Sequence, residues 1–202
     1  AAPHELFLYM QREVRQIVGD KSLEFHKLRR LAEHRTRQGS TRNEVSIDDI
    51  YDTLLSMSDI PPSFKEHLIE LEFNTELKYC RAREFGFKLF SHAVNQGKRI
   101  ICVSDFYYGK IFLRRLLDAT GYGSLVDVYV STDFGESKSE GTLFKHVFHH
   151  LGVPPSKILH VGDNRASDVV NAEKFGFKTF FHPRAMAILA GLPIFKESWS
   201  SM

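Results

Sequence analysis

Two periodicities divide the chain. From Pro3 to about Gln96, apolar residues return every three or four positions, the spacing of one helix face. Leu6, Phe7, Met10, Val14, Ile17 and Val18 predict a first helix that Gly19-Asp20 closes. Leu28, Leu31 and Ala32 mark a second among basic residues. Ser46, with Asp49 three positions on, spells a capping box and predicts a short helix through Leu54 and Met57. Pro61-Pro62-Ser63 then opens one long helical tract carrying Leu68, Leu71, Leu77, Phe87, Leu89, Phe90 and Val94, stopped by Gly97.

From Lys98 onward short β-branched runs alternate with helical ones. Strands are predicted at 100–103, 126–130, 158–161 and 179–181, with helices at 111–117, 143–151 and 169–175 between them. Strand, helix, strand at this spacing implies an α/β fold, a Rossmann-like parallel sheet in three α/β/α layers. The pattern therefore divides the chain into a helical segment, 1–96, and a Rossmann-like core, 97–202. Ala185 to Met202 starts as a helix and fades into polar residues, with no role assigned.

Composition narrows the function classes. With 27 Lys and Arg against 25 Asp and Glu in 202 residues, the net charge is only +2, so neither nucleic acid nor an anionic membrane is the expected partner. No apolar run approaches the ~20 residues of a membrane span, and no signal peptide opens the chain. Cys80 and Cys102 are the only cysteines, and Cys102 sits within an apolar run, which fits a reducing, cytoplasmic setting. The chain opens Ala1-Ala2-Pro3-His4 without an initiator Met, as a piece of a longer protein would.

In such a sheet the chemistry sits just past the carboxyl ends of the strands. Ser104-Asp105 follows the first predicted strand, Lys138 lies in Gly135-Glu136-Ser137-Lys138-Ser139-Glu140-Gly141 after the second, and Gly162-Asp163-Asn164-Arg165-Ala166-Ser167-Asp168 follows the third. A hydroxyl, an ammonium and paired acids suit a phosphate site: Ser104 donating to a phosphoryl oxygen, Lys138 neutralising charge, Asp163 offering a hard oxygen to Mg²⁺. Asp168 would bind the metal through water or orient Asp163. Each also has a structural reading. Ser104 or Asp105 serves as a helix cap, Lys138 as a solvated surface lysine, and Gly162-Asp163 as a turn with Asp168 in a first helical turn. Their order, each at a strand end, favours the chemical reading.

These residues resemble the second, third and fourth motifs of the haloacid dehalogenase superfamily. More narrowly, Val103-Ser104-Asp105-Phe106-Tyr107, Lys138-Ser139-Glu140-Gly141-Thr142-Leu143-Phe144 and His160 to Asp168 resemble a bacterial branch of hydrolases found beside or fused to glycosyltransferases of surface-polysaccharide assembly. The helical segment resembles that branch's cap, including Leu31-Ala32-Glu33 with Arg35 and Arg37. The resemblance implies Mg²⁺-dependent phosphoryl transfer through an aspartyl-phosphate on a small phosphorylated metabolite. Ser104 would hold the transferring phosphoryl group, Lys138 would hold nucleophile and phosphate together, Asp163 would bind Mg²⁺ and Asp168 would support it.

The family's first motif, an apolar strand ending in the nucleophilic Asp with Thr four residues on, should precede these. Asp49-Ile50-Tyr51-Asp52-Thr53 matches its spelling. Its context is wrong: Glu44-Val45-Ser46-Ile47-Asp48 is no buried strand, and the capping box makes Asp49 the third residue of a helix. In the related branch the first motif is followed by a proline and a helix resembling Pro3-His4-Glu5-Leu6-Phe7, which places the nucleophile and the first core strand upstream of Ala1. The 202 residues alone are then expected to show unpaired strand edges, poor solubility and no phosphatase turnover. His146, His149 and His150 have metal-capable spacing but no completing partner, and His160 reads as a core hydrogen-bonder. The rival function is a non-catalytic docking or structural domain of a larger polysaccharide-assembly protein.

Overall fold

The computed structural model describes residues 3–19, 24–42, 44–123, 126–185 and 187–188. The chain forms two compact units, Ala1–Glu136 and Ser137–Met202.

The first unit begins with four helices, α1 (Pro3–Val18), α2 (Phe25–Gly39), α3 (Ile47–Ser56) and α4 (Lys65–Tyr79). α1 packs on α2 and α4, and α3 packs on α2 and α4. The predicted apolar positions Met10, Val14, Ala32, Leu54 and Leu68 are fully buried in one core, with Phe25, Ile50 and Phe73 beside them. The capping box forms as spelled, with Ser46 Oγ accepting from Asp49 N–H at 3.2 Å and Asp49 Oδ2 accepting from Ser46 N–H at 3.0 Å.

One prediction needs correction. The long tract after Pro61 is two helices, α4 and α5 (Glu84–Asn95), because Cys80 turns extended at φ −70°, ψ 136°. Arg81 caps the break, its guanidinium donating to the carbonyls of Lys78 and Cys80 at 2.8 and 2.7 Å. Apolar periodicity alone does not register a stop made by a side-chain cap.

The same unit holds β1 (Ile100–Ser104), α6 (Lys110–Ala119), β2 (Val126–Val130) and the single turn α7 (Ser131–Phe134). β1 and β2 pair in parallel from Ile100 with Val126 to Ser104 with Val130. Leu113 on α6 packs against Val128 and Val130. The loop after β1 is tied down at both ends. Phe106 N–H donates to the buried Ser131 hydroxyl at 3.0 Å, and Ile47 N–H donates to Tyr107 O at 2.7 Å.

The second unit contains α8 (Thr142–Leu151), β3 (Leu159–Gly162), a π-type helix (Arg165–Asn171) running into α9 (Ala172–Lys174), and β4 (Lys178–Phe181). β3 and β4 are parallel, Leu159 with Lys178 to Gly162 with Phe181. Phe144 of α8 packs edge-on against His160 and Phe177. The helix expected at 169–175 thus starts four residues earlier and is wide for its first seven. Among the described residues β1 pairs only with β2 and β3 only with β4, and Leu159 and Phe180 are exposed on one face. No described helix is long and apolar enough to cross a membrane. The fading helix predicted at 185–202 lies mostly outside the described residues.

Candidate functional site

In the second unit two of the predicted residues, Lys138 and Asp168, meet. Asp168 is buried, and its Oδ1 accepts from Lys138 Nζ at 2.7 Å and lies 3.2 Å from His160 Nε2. Its Oδ2 accepts from Asn164 N–H at 3.0 Å. Burial alone would raise this acid's pKa. The bonds from His160, Lys138 and Asn164 outweigh it and hold the carboxyl well below the usual range, so Asp168 stays ionised.

Local structure builds this arrangement from both sides. Gly162 ends β3, and a Cβ there would lie 2.4 Å from Asp168 Cβ, Cγ and Oδ2, so only glycine admits the carboxylate. Asn164 Oδ1 accepts from the N–H groups of Ala166 and Ser167, capping the π-type helix that carries Asp168. On the other side, Asn171 Nδ2 donates to the carbonyls of Lys138 and Ser139 at 3.0 and 2.6 Å. The buried Ser137 hydroxyl accepts from Glu140 N–H at 3.1 Å, and Thr142 Oγ1 accepts from Ser137 N–H at 3.0 Å. Lys138 therefore projects from a loop pinned at both ends, and its ammonium is a fixed charge.

Asp163 differs. It follows β3 directly, is 39% exposed, and has Arg184 Nε at 3.2 Å from its Oδ2. Asp49 sits on α3, its Oδ2 bonded to Ser46 N–H, Ser46 Oγ and Arg42, with no strand leading to it. A carboxylate so engaged at a helix start is a cap. In the first unit, Ser104 is half-buried at the end of β1, and its hydroxyl makes no hydrogen bond among the described residues.

The fit to magnesium is partial. Mg²⁺ takes one or two carboxylates and fills the remaining positions with water and phosphate oxygens. Asp163 qualifies as one such ligand through Oδ1, its Oδ2 already accepting from Arg184 Nε, whereas each Asp168 oxygen accepts a hydrogen bond. Among the described residues no group of three His, Cys, Asp or Glu side chains could hold a metal ion. These residues do not make a metal centre by themselves. His146, His149 and His150 accordingly form none on α8.

Sequence reading missed Asn164 and Asn171, and it took His160 for a core residue without its link to Asp168. An Asn opening a helix after Gly-Asp was the available signal for the first. For Asn171 and His160 there was none, since their partners lie 33 and 8 residues away.

No family profile and no curated protein sequence matches the chain. Solved structures do. A haloacid dehalogenase-like hydrolase of Xanthomonas campestris is 12% identical over 91% of this chain and 76% of its own, with a TM-score of 0.56. YfnB of Bacillus subtilis, described as a HAD-hydrolase and solved with magnesium, gives 19% identity, 89% and 81% coverage and a TM-score of 0.58. The fold is that of the HAD-like hydrolases. CbbY of Rhodobacter sphaeroides, solved with phosphate, is similar at 14% identity, 80% and 81% coverage and a TM-score of 0.52. At these identities the likeness extends to the fold alone.

Proposed function

We propose that the chain belongs to a magnesium-dependent phosphohydrolase acting on a small phosphorylated metabolite. The observation that carries this reading is the Lys138–Asp168 pair at 2.7 Å, on a loop and a helix start that follow strands of a HAD-like fold. A lysine held this way supplies a compact positive charge for a phosphoryl group without the entropy loss of a free side chain. The roles of the other groups follow the motif resemblance. Ser104 donates its hydroxyl to a phosphoryl oxygen, and Asp163 offers a carboxylate oxygen to Mg²⁺, which when bound would screen phosphoryl charge. Asp168 keeps Lys138 in place.

The nucleophilic Asp in this proposal lies on an apolar strand upstream of Ala1. Support comes from the open edges of β1 and β3 among the described residues and from the exposure of Leu159 and Val161 on β3. The motif resemblance further suggests service in surface-polysaccharide assembly, beside or within a glycosyltransferase, in the cytoplasm.

The test compares residues 1–202 with a chain extended upstream to include its natural preceding residues. Hydrolysis of p-nitrophenyl phosphate with Mg²⁺ is expected from the extended chain only, and Lys138→Ala should abolish it. Hydrolysis by residues 1–202 that Asp49→Asn abolishes would reinstate Asp49 as nucleophile. No hydrolysis by the extended chain, with a residue other than Asp at the upstream position, would favour a non-catalytic docking domain.

A further inference from the structure

The cations of the chain are unevenly placed. Residues 25–42 carry six Lys and Arg against one Glu, while the whole chain nets only +2, so the remaining residues are acidic in sum. α2 holds most of these cations. Its buried side is Phe25, Arg29 and Ala32, and Lys27, Arg30, Leu31, His34, Arg35 and Gln38 recur at three and four residues along the exposed side. At about 100° per residue, Arg30 and Arg35 stand at the two margins of that stripe, with His34 and Leu31, 42% exposed, between them.

The neighbouring cations are already answered. Arg29 pairs with Glu72 and Glu33, Arg37 with Glu33 and Glu44, Arg42 with Asp49, and Lys27 with Glu24. Arg30 and Arg35 pair with no carboxylate among the described residues. Arg35 also lines a groove of about 460 Å³ between the C-terminal end of α2 and α3, together with Thr36, Thr41, Arg42 and Thr53. The groove's two acids are occupied, Asp49 by Ser46 and Arg42, and Asp52 by Lys65. Face and groove therefore present unanswered positive charge around one apolar spot.

We infer that this face and groove dock an acidic segment of a partner protein, with carboxylates on Arg30 and Arg35 and an apolar side chain on Leu31. Charge complementarity carries the choice of partner. From Lys27 to Gln38 the stripe runs about 16 Å, the reach of about five extended residues. A bilayer needs a broad apolar face, and Leu31 is the one large apolar residue exposed on α2. Single-stranded nucleic acid needs rings on which its bases stack, and Phe25, the one Phe, Tyr or Trp of α2, is buried. A carboxylate-rich peptide needs neither. The docking is independent of the phosphoryl chemistry proposed above.

Fluorescence anisotropy of a fluorescein-labelled decapeptide of Asp and Glu with one central Leu, titrated with the 202-residue chain, tests this. Saturable binding that weakens as NaCl rises from about 50 to about 300 mM is expected. Arg35→Ala should weaken it about threefold, and Arg30→Glu/Arg35→Glu by about tenfold or more, the range of one or two exposed ion pairs. The reversed variant should instead bind a Lys decapeptide with the same central Leu. Ser in place of the peptide's Leu, or Leu31→Ser in the chain, should cost several-fold. Lys145→Glu/Lys157→Glu makes the same change in net charge at exposed positions of the second unit and should leave the affinity within about twofold. An equal loss in that pair would reduce the effect to net charge and overturn the docking face. So would no binding of the acidic peptide, or tighter binding of oligothymidylate or phosphatidylglycerol vesicles that depends on Arg30 and Arg35.

Discussion

Arg29 is the residue whose loss the helical half should feel most. It is fully buried and donates three hydrogen bonds to carboxylates, two to Glu72 at 2.8 Å and one to Glu33 at 3.1 Å. In Arg29→Met the apolar stem is kept and the charge removed, leaving the Glu72 carboxyl in the core with the Tyr51 hydroxyl as its remaining donor. Hydrogen bonds to charged groups contribute ~1.5–3 kcal/mol each, and breaking a buried ion pair from one side costs ~3–5 kcal/mol in total. With a urea m-value of ~2 kcal/mol/M, the unfolding midpoint of the helical signal should fall by ~1.5–2.5 M. Arg29→Met/Glu72→Leu removes both charges at similar volume, and Tyr51 still has Leu68 O at 3.2 Å. The double variant should regain at least half of the lost midpoint, because the single variant's cost is mostly the stranded carboxylate. A single-variant shift below ~0.5 M, or a double variant no better than the sum of its singles, would refute this account.

Three further outcomes follow from other sites. Gly162→Ala should destabilise the second unit by ~1–3 kcal/mol, read by its melting temperature, because the new Cβ would lie 2.4 Å from the Asp168 carboxyl group. Asp168 has a folded-state pKa below its unfolded value, so its stabilisation is present above the ordinary carboxylate range and lost as pH falls through the folded value. Asp168→Asn should therefore flatten the acid limb of a stability-versus-pH curve and lower stability at pH 7. Glu76 runs the other way: its folded pKa, up to about 7, exceeds its unfolded value, so its contribution is full below ~pH 4 and is lost as pH rises through neutrality. Urea titrations at pH 5.5 and 8.5 should show a fall of ~2 kcal/mol that Glu76→Gln removes.

The local signals of this chain were legible because they act over a few residues. The Ser46-Asp49 capping box, the burial of Met10, Val14 and Ile50, and the β2 strand at 126–130 all appear where apolar period and cap chemistry placed them. The break after Tyr79 did not, since Arg81 made it by bonding carbonyls rather than by glycine or proline. The position of Lys138 and Asp168 after strands was legible too.

Their pairing was a different matter. Strand-end position says that a carboxylate and a lysine face the sheet's working end; it does not say that Asp168 spends its oxygens on Lys138, His160 and Asn164. The partners of Glu72 and Glu76 were equally hidden, because Arg29 and Tyr107 reach α4 from 43 and 31 residues away. Sequence by itself determined most of which segments coil and which extend, since backbone propensity and amphipathic period are short-range properties. Only the tertiary structure decided which carboxylates are satisfied and which are left open. A buried charge's partners are whatever the packed helices and loops bring within three ångströms, and no local pattern along the chain encodes that meeting.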